Sequence, residues 1–425
     1  MNRIKFVSIL LACMCLSSCG LRRSDTGADI TQTSPSDGAG SKVTSADTDG
    51  GEETPKDKTV RLSFACAGDN IIHESIYTEA AAKASSMASA GGYTGNYYFD
   101  SMYTANVEAL VGTADIAFVN QEAPITGLKA SGYPNFNSPP EAGDALVSMG
   151  FDIVNIANNH MLDMENLTEG YRKTIEYWKT KDVLQIGGYE NDADYEKLRF
   201  YEKDGVKIAM LSFTYGTNGY RVNSASPCVV PLIDDSVIRE RIARARGEAD
   251  LVFVSMHWGD ENTQAPNAEQ KRLAKLIADC GADAVIGHHS HTVQPIDWVT
   301  GESGKKTLVI YSLGNFISTQ LKAVNMVGNI VTFDIVKEEN MPAYLTNIVS
   351  NPTVTHYVAD ETVHDSQDLP VRSGVEVYLM EDYTQALCSA HGAQLYGSFT
   401  LDTLKKYITD VIPDEFLPAY LKTSK

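Results

Sequence analysis

The sequence predicts an α/β fold built on a largely parallel sheet, and three observations predict it. From Val60 onward, apolar runs of strand length alternate with amphipathic segments of helix length, the texture of strand–helix–strand units. The polar residues able to do chemistry collect at the carboxyl ends of those runs, where open α/β sheets bind ligands. Apolar residues make up 43% of the 425, enough to fill one large or two ordinary domains.

The chain opens with MNRIKFVSILLACMCLSSCG. Arg3 and Lys5 precede an apolar stretch of about a dozen residues and then small ones, which is a secretory signal pattern. A spanning helix would need about 20 apolar residues. Leu16-Ser17-Ser18-Cys19 resembles the bacterial lipobox, whose cysteine is lipidated and becomes the new N-terminus. Residues 1–19 are therefore expected to be a lipoprotein signal, with an ordinary secretory signal cut elsewhere as the alternative. Each buried acyl CH₂ contributes about 0.8 kcal/mol, so a multiply acylated Cys19 would hold the protein on the cell membrane at its extracytoplasmic face. Residues 20–58 are Ser, Thr, Asp and Gly with almost no large apolar side chain, the composition of a disordered tether.

Strands are expected at VRLSFACAGD, IAFVNQEA, DIVNIANNH, LQIGG, VKIAMLSFT, LVFVSMHWG, AVIGHH, TLVIYSLGNF and NIVTFDIV. Between them, LTEGYRKTIEYWKT, DSVIRERIARAR and AEQKRLAKLIADCG read as amphipathic helices. This main domain spans 59–338. Residues 339–425 are weakly patterned, with TLDTLKKYITDVIPDEF the clearest helix, and read as a small C-terminal extension of unknown role. Of seven cysteines, Cys66, Cys228, Cys280 and Cys388 lie beyond the signal, and with no CxxC pair among them they are expected to be free thiols.

A formal net charge of -20 disfavours a polyanion-binding surface, which excludes nucleic acid as a partner. The strand ends carry Gly68-Asp69-Asn70, Asn120-Gln121-Glu122, Asn158-Asn159-His160 with Asp163, His257-Trp258-Gly259, the cluster His288-His289-Ser290-His291, and Ser312-Leu313-Gly314-Asn315. Alternate residues of an extended chain point the same way, so His289 and His291 can reach one centre. Carboxylate, amide and imidazole together suit Zn²⁺, Mn²⁺ or Fe²⁺ better than Ca²⁺. In His160 and Asp163 a spacing of three sets a carboxylate beside an imidazole, the arrangement of an oriented general acid, or of a helix cap with a surface ion pair.

Taken together, AGDNIIH, VNQEAPI, NIANNHMLDM, DGVKIAMLSFTYGTNG, ADLVFVSMHWGDE, GADAVIGHHSHTVQPID and YSLGNFI make residues 62 to about 335 resemble the CapA family of bacterial capsule and poly-γ-glutamate synthesis proteins, related to the calcineurin-like metallophosphoesterases. The resemblance implies a four-layer α/β/β/α sandwich with a site for one or two divalent metal ions. It implies Asp69, Glu122, Asn159, His257, His289 and His291 as ligands, Glu122 standing where the relatives place a bridging acid. His160 would protonate a leaving group, assisted by Asp163, and His288 would face the other way. The Asp-x-His that opens the metallophosphoesterase pattern is absent, since Asn70 and Ile71 follow Asp69.

The function implied is that of an exported, lipid-anchored protein of envelope-polymer synthesis or export, working within a synthesis complex. A stand-alone metal-dependent phosphoesterase and a non-catalytic polymer-binding protein are the alternatives.

Overall fold

The computed structural model describes residues 59–164 and 167–422. The expected signal with Cys19 and the expected tether 20–58 lie outside the described residues. In chain order the strands are β1 (Val60–Asn70), β2 (Ile116–Gln121), β3 (Ile153–Asn155), β4 (Leu184–Ile186), β5 (Arg199–Lys203), β6 (Val206–Thr214), β7 (Leu251–His257), β8 (Ala284–His288), β9 (Ile296–Thr300), β10 (Lys306–Ile310), β11 (Asn315–Ile317), β12 (Val327–Lys337), β13 (Tyr344–His364) and β14 (Pro370–Leu379). They form an eight-stranded sheet ordered β14-β13-β12-β1-β2-β3-β4, with β11 also paired to β1, and a six-stranded sheet ordered β5-β6-β7-β8-β10-β9. The runs β1-β2-β3-β4 and β6-β7-β8-β10 are parallel, so two sets of carboxyl ends are available to carry a site.

The two sheets pack face to face. Phe64 of β1 stacks on Phe333 of β12 at 4.8 Å between ring centroids, and Phe253 of β7 meets both, at 5.4 and 5.9 Å. Alternation along the smaller sheet decides its two faces. Ile208, Met210, Phe253, Ile286 and Ile310 enter the core between the sheets, whereas Ala209, Val252, Val254, Val285 and Val309 enter a second core under the helices Asp235–Arg246 and Ala268–Asp279. Those helices start at side-chain caps: Asp234 accepts from Ser236 and Val237, and Asn267 forms a capping box with Gln270. On the far face of the larger sheet, Ile76, Val107, Leu146 and Trp178 come from the helices Glu74–Ser89, Ala105–Gly112, Pro140–Met149 and Leu167–Lys179. The result is the expected four-layer α/β/β/α order.

The first part of the expected C-terminal extension is built into the larger sheet. It supplies β13 and β14, which the weak patterning of this stretch does not announce, and the expected helix near the end is Leu401–Thr409. The four described cysteines are free thiols, as expected. No helix among the described residues is long and apolar enough to cross a membrane.

Two predictions follow from the packing. Phe64→Ala removes the ring that joins both sheets and should cost about 3–5 kcal/mol of unfolding free energy in urea titrations. His391 is buried between the Thr355 carbonyl and the Ala393 N–H, with its ring 4.0 Å from Phe399. Burial pushes its pKa down to about 3, against the opposing pull of the Thr355 carbonyl. A folded pKa below the unfolded 6.5 means stability that is complete above that value and is lost as the pH falls toward 3. His391→Gln should therefore take up about one proton fewer on unfolding at pH 5, read from the slope of stability against pH.

Candidate metal centre

The centre begins with a bulge. Phe64 and Cys66 of β1 face the smaller sheet, and strict alternation would point Gly68 inward next. The β1–β2 register shifts between Ala67 and Asp69, so Asp69 pairs with Asn120 and turns inward instead. Gly68 has no alternative at this point, because a Cβ there would lie 1.9 Å from the Gly314 carbonyl oxygen. That close approach lets the Asp69 N–H donate to Gly314 O at 2.9 Å.

Register then lines up four polar residues across neighbouring parallel strands: Asn315 of β11, Asp69 of β1, Asn120 of β2 and Asn155 of β3. Asn120 Nδ2 donates to Asp69 Oδ1 at 2.8 Å, and Asn155 Nδ2 donates to Asn120 Oδ1 at 2.8 Å. Ser212, on the opposite sheet, donates to Asn155 Oδ1. Asp69 is fully buried, and this row supplies partners for one of its oxygens. The other accepts from the His289 N–H at 3.2 Å and lies 3.4 Å from His291 Nδ1.

Glu122 is two residues past Asn120 and converges on the same point. Its Oε1 is 3.6 Å from His257 Nε2 and 3.7 Å from His291 Nε2. Asn159 Oδ1 lies 2.8 Å from His257 Nε2. Ligand atoms of Glu122, His289 and His291, and separately of Asp69, Glu122 and His257, come within 4.8 Å of one another, so Glu122 is common to both groups. The imidazoles of His289 and His291 are aimed by a strained turn, with φ of 92° and 55° in the left-handed region. Ser290, between them, donates its hydroxyl to the Thr292 carbonyl at 2.8 Å.

These residues fit a divalent cation. Glu122 Oε1, His257 Nδ1 and His289 Nδ1 are buried without a hydrogen-bond partner among the described residues. Burial, reinforced by His291, pushes His289 down to about 3, and burial with His289 beside it holds His257 well below the ordinary range. Both rings are thus neutral, with lone pairs to offer. Burial tends to raise Asp69, but His288 and His291 outweigh it and hold the carboxyl well below its usual range. Burial and then the Asp69 charge push Glu122 well above its own.

His160 and Asp163 sit at the rim. Asp163 Oδ2 lies 2.6 Å from His160 Nδ1 and accepts from the Phe136 N–H at 2.9 Å. With Nδ1 occupied, Nε2 is the ring atom left to face a ligand. Asp163 is fixed from its own turn and from the 126–137 loop, so the pair is a buried, oriented one and not a surface ion pair.

All eight residues singled out in the sequence thus gather at one end of the sandwich. His288 departs from expectation. Alternation along β8 points it between the sheets, where its ring stacks on Phe118 and its Nδ1 lies 3.5 Å from Asp69 Oδ1. Asn120 and Asn155 form the support of Asp69, a role the sequence reading missed. The available signal was the two-residue spacing of Asn120 and Glu122, which puts both on one face. Asn315 Oδ1 lies 3.1 Å from His291 Nδ1, steadying that ring from behind.

Fold and site define a class: an α/β/β/α sandwich with a histidine–carboxylate–amide centre where the carboxyl ends of two sheets meet. Within that class, the chain belongs to the bacterial capsule synthesis protein family PGA_cap, which it matches over residues 63–320. It is 32% identical over 220 residues to the PGA biosynthesis protein CapA of Bacillus subtilis, covering 50% of this chain and 56% of that one. It is 34% identical over 197 residues to the capsule biosynthesis protein CapA of Bacillus anthracis, covering 45% and 46%. The chain thus spans about half the length of these curated relatives. Among solved structures it is similar to a phosphatase from Mycoplasma pneumoniae, with TM-score 0.41, 12% identity and coverage of 70% of this chain and 95% of that one. A second is the NAD nucleotidase of Haemophilus influenzae, with TM-score 0.40, 11% identity and coverage of 74% and 60%.

Asn120→Ala removes the amide donor to Asp69 Oδ1 and the shorter of the two acceptors of Asn155 Nδ2. Each loss should cost about 1–3 kcal/mol in chemical denaturation, and metal affinity should fall about 10–100-fold by calorimetric titration. Wild-type affinity in this variant would show that the amide row does not orient Asp69.

Proposed function

We propose that the protein is an exported, lipid-anchored component of capsule or poly-γ-glutamate synthesis, working at the cell envelope as a divalent-metal-dependent hydrolase. The observation that supports the catalytic half is the convergence of Asp69, Glu122, His257 and His291 beside an oriented His160–Asp163 pair. Family membership and the named role of the relatives support the pathway half. The lipobox-like Cys19 supports the anchor.

Asp69, Glu122, Asn159, His257, His289 and His291 would hold one or two divalent cations, Glu122 with His289 and His291 forming one cluster of ligand atoms and Asp69 and Glu122 with His257 the other. When bound, such cations supply Lewis acidity toward a phosphoryl or acyl oxygen and favour an ionised water nucleophile. The remaining chemistry belongs to the chain. Asp163 keeps His160 Nδ1 occupied, so the proton delivered to a leaving group comes from Nε2. Burial of the whole set keeps bulk water away from the developing charge. Asn159, adjacent to His160 in the chain, ties proton donor and ligand set to one turn.

The experiment is elemental mass spectrometry on the purified full chain beside an Asp69→Ala/His291→Ala variant. The expected result is about one or two transition-metal equivalents, largely lost in the variant. A folded protein that stays metal-free after reconstitution would overturn the catalytic half. For the pathway half, deletion of the gene should change the anionic polymer at the cell surface, and an unchanged envelope would count against it.

A further inference from the structure

One motif singled out in the sequence, Tyr215-Gly216-Thr217-Asn218-Gly219, supplies no ligand to the centre. It is a tight turn. The Tyr220 N–H donates to Thr217 O at 2.8 Å, and φ is 51° at Asn218 and 81° at Gly219, the Asn-Gly pattern of a type I′ turn. The turn folds over the rim of the site. Asn218 accepts from Asn159 Nδ2 at 3.2 Å and lies 3.3 Å from His160 Nδ1. The Tyr215 ring is 4.5 Å from that of His289, and Tyr220 donates its hydroxyl to Asn135 Oδ1 at 3.1 Å on the facing loop.

Behind the turn lies a cavity of about 640 Å³, walled by Leu162, Tyr215, Tyr220, Val222 and Val230 and bordered by Arg221. Leu162 is two residues past His160, and the same turn that walls the cavity sets Asn218 beside His160 Nδ1. The centre itself is rich in carboxylates, with Asp69, Glu122, Asp163 and, nearby, Glu261. Arg221 is the opposite charge at the cavity border. It is exposed and pairs with no carboxylate among the described residues, unlike Arg172 or Arg372. An exposed guanidinium next to apolar walls suits a ligand that is apolar in its body and anionic at its end.

We propose that this cavity is the substrate subsite on the leaving-group side of the centre, and that it takes an amphipathic anion. The apolar body would lie against Leu162, Tyr215, Val222 and Val230, with a carboxylate or phosphate on the Arg221 guanidinium. Its place on the leaving-group side rests on the hydrolytic reading above; the binding chemistry rests on the cavity alone.

The test is equilibrium binding of 2-naphthyl phosphate, 2-naphthoate and neutral 2-naphthol to the full chain in the presence of chelator, followed by fluorescence. Arg221→Gln should weaken both anions about tenfold and leave naphthol unchanged, since only the charge-assisted contact is lost. Val230→Trp, which fills the cavity, should weaken all three. The ratio of the two anion affinities distinguishes a phosphate ligand from a carboxylate ligand. Anion binding unaffected by Arg221→Gln, or probe binding unaffected by Val230→Trp, would overturn the proposal. The Asp69→Ala/His291→Ala variant should still bind the naphthyl anions. Retained binding together with a metal-free wild type would sink the hydrolytic reading and leave the subsite standing.

Discussion

Everything at the working end of this protein depends on keeping one buried carboxylate ionised and aimed. A carboxylate with no access to water is stable only when partners replace its hydration. Asp69 finds them in a row of amides on adjacent parallel strands, anchored across the interface by a serine of the opposite sheet. The contacts made by Asp69 Oδ1 leave Oδ2 directed at the histidine turn. The ionised acid is therefore a product of strand register as much as of its chemical neighbours. A one-residue slip of β1 against β2 would remove both its partner and its direction.

The two backbone distortions near Asp69 serve the same end from opposite sides. On β1 the bulge beside Gly68 brings an out-of-phase residue into the interface. On the facing sheet, His289 and His291 occupy a conformation that non-glycine residues avoid. Each such residue costs on the order of 1–3 kcal/mol, and the packing of two full sheets around the Phe64, Phe253 and Phe333 rings supplies the constraint that holds them there. At this site the irregular backbone sits at the ends of regular strands, which carry it.

Much of this was legible in the sequence. The expected strands and helices of the main domain rest on burial of one or both faces, and that burial leaves a periodic trace. The ligand-type residues were legible because they cluster at strand ends. What left no trace is equally instructive. A bulge adds one residue to a strand without changing its composition, so the inward turn of Asp69 and the support from Asn120 and Asn155 could not be read. The direction of His288 was misread because a histidine after a histidine gives no sign of which face each takes. Strands β13 and β14 were missed since the outer part of their hairpin is exposed and carries polar residues such as Asp360, Glu361 and Thr362 on both faces.

The loops at the rim have a different relation to the interior than the row of amides does. Among the described residues, neither the 126–137 loop nor the 215–232 loop makes a hydrogen bond to Asp69, Asn120 or Asn155. They reach the outer part of the site instead: the Phe136 N–H donates to Asp163, and Asn218 accepts from Asn159 and lies beside His160 Nδ1. A change in either loop is therefore felt first at Asn159, His160 and Asp163, while the amide row under Asp69 is insulated from it by one layer of side chains.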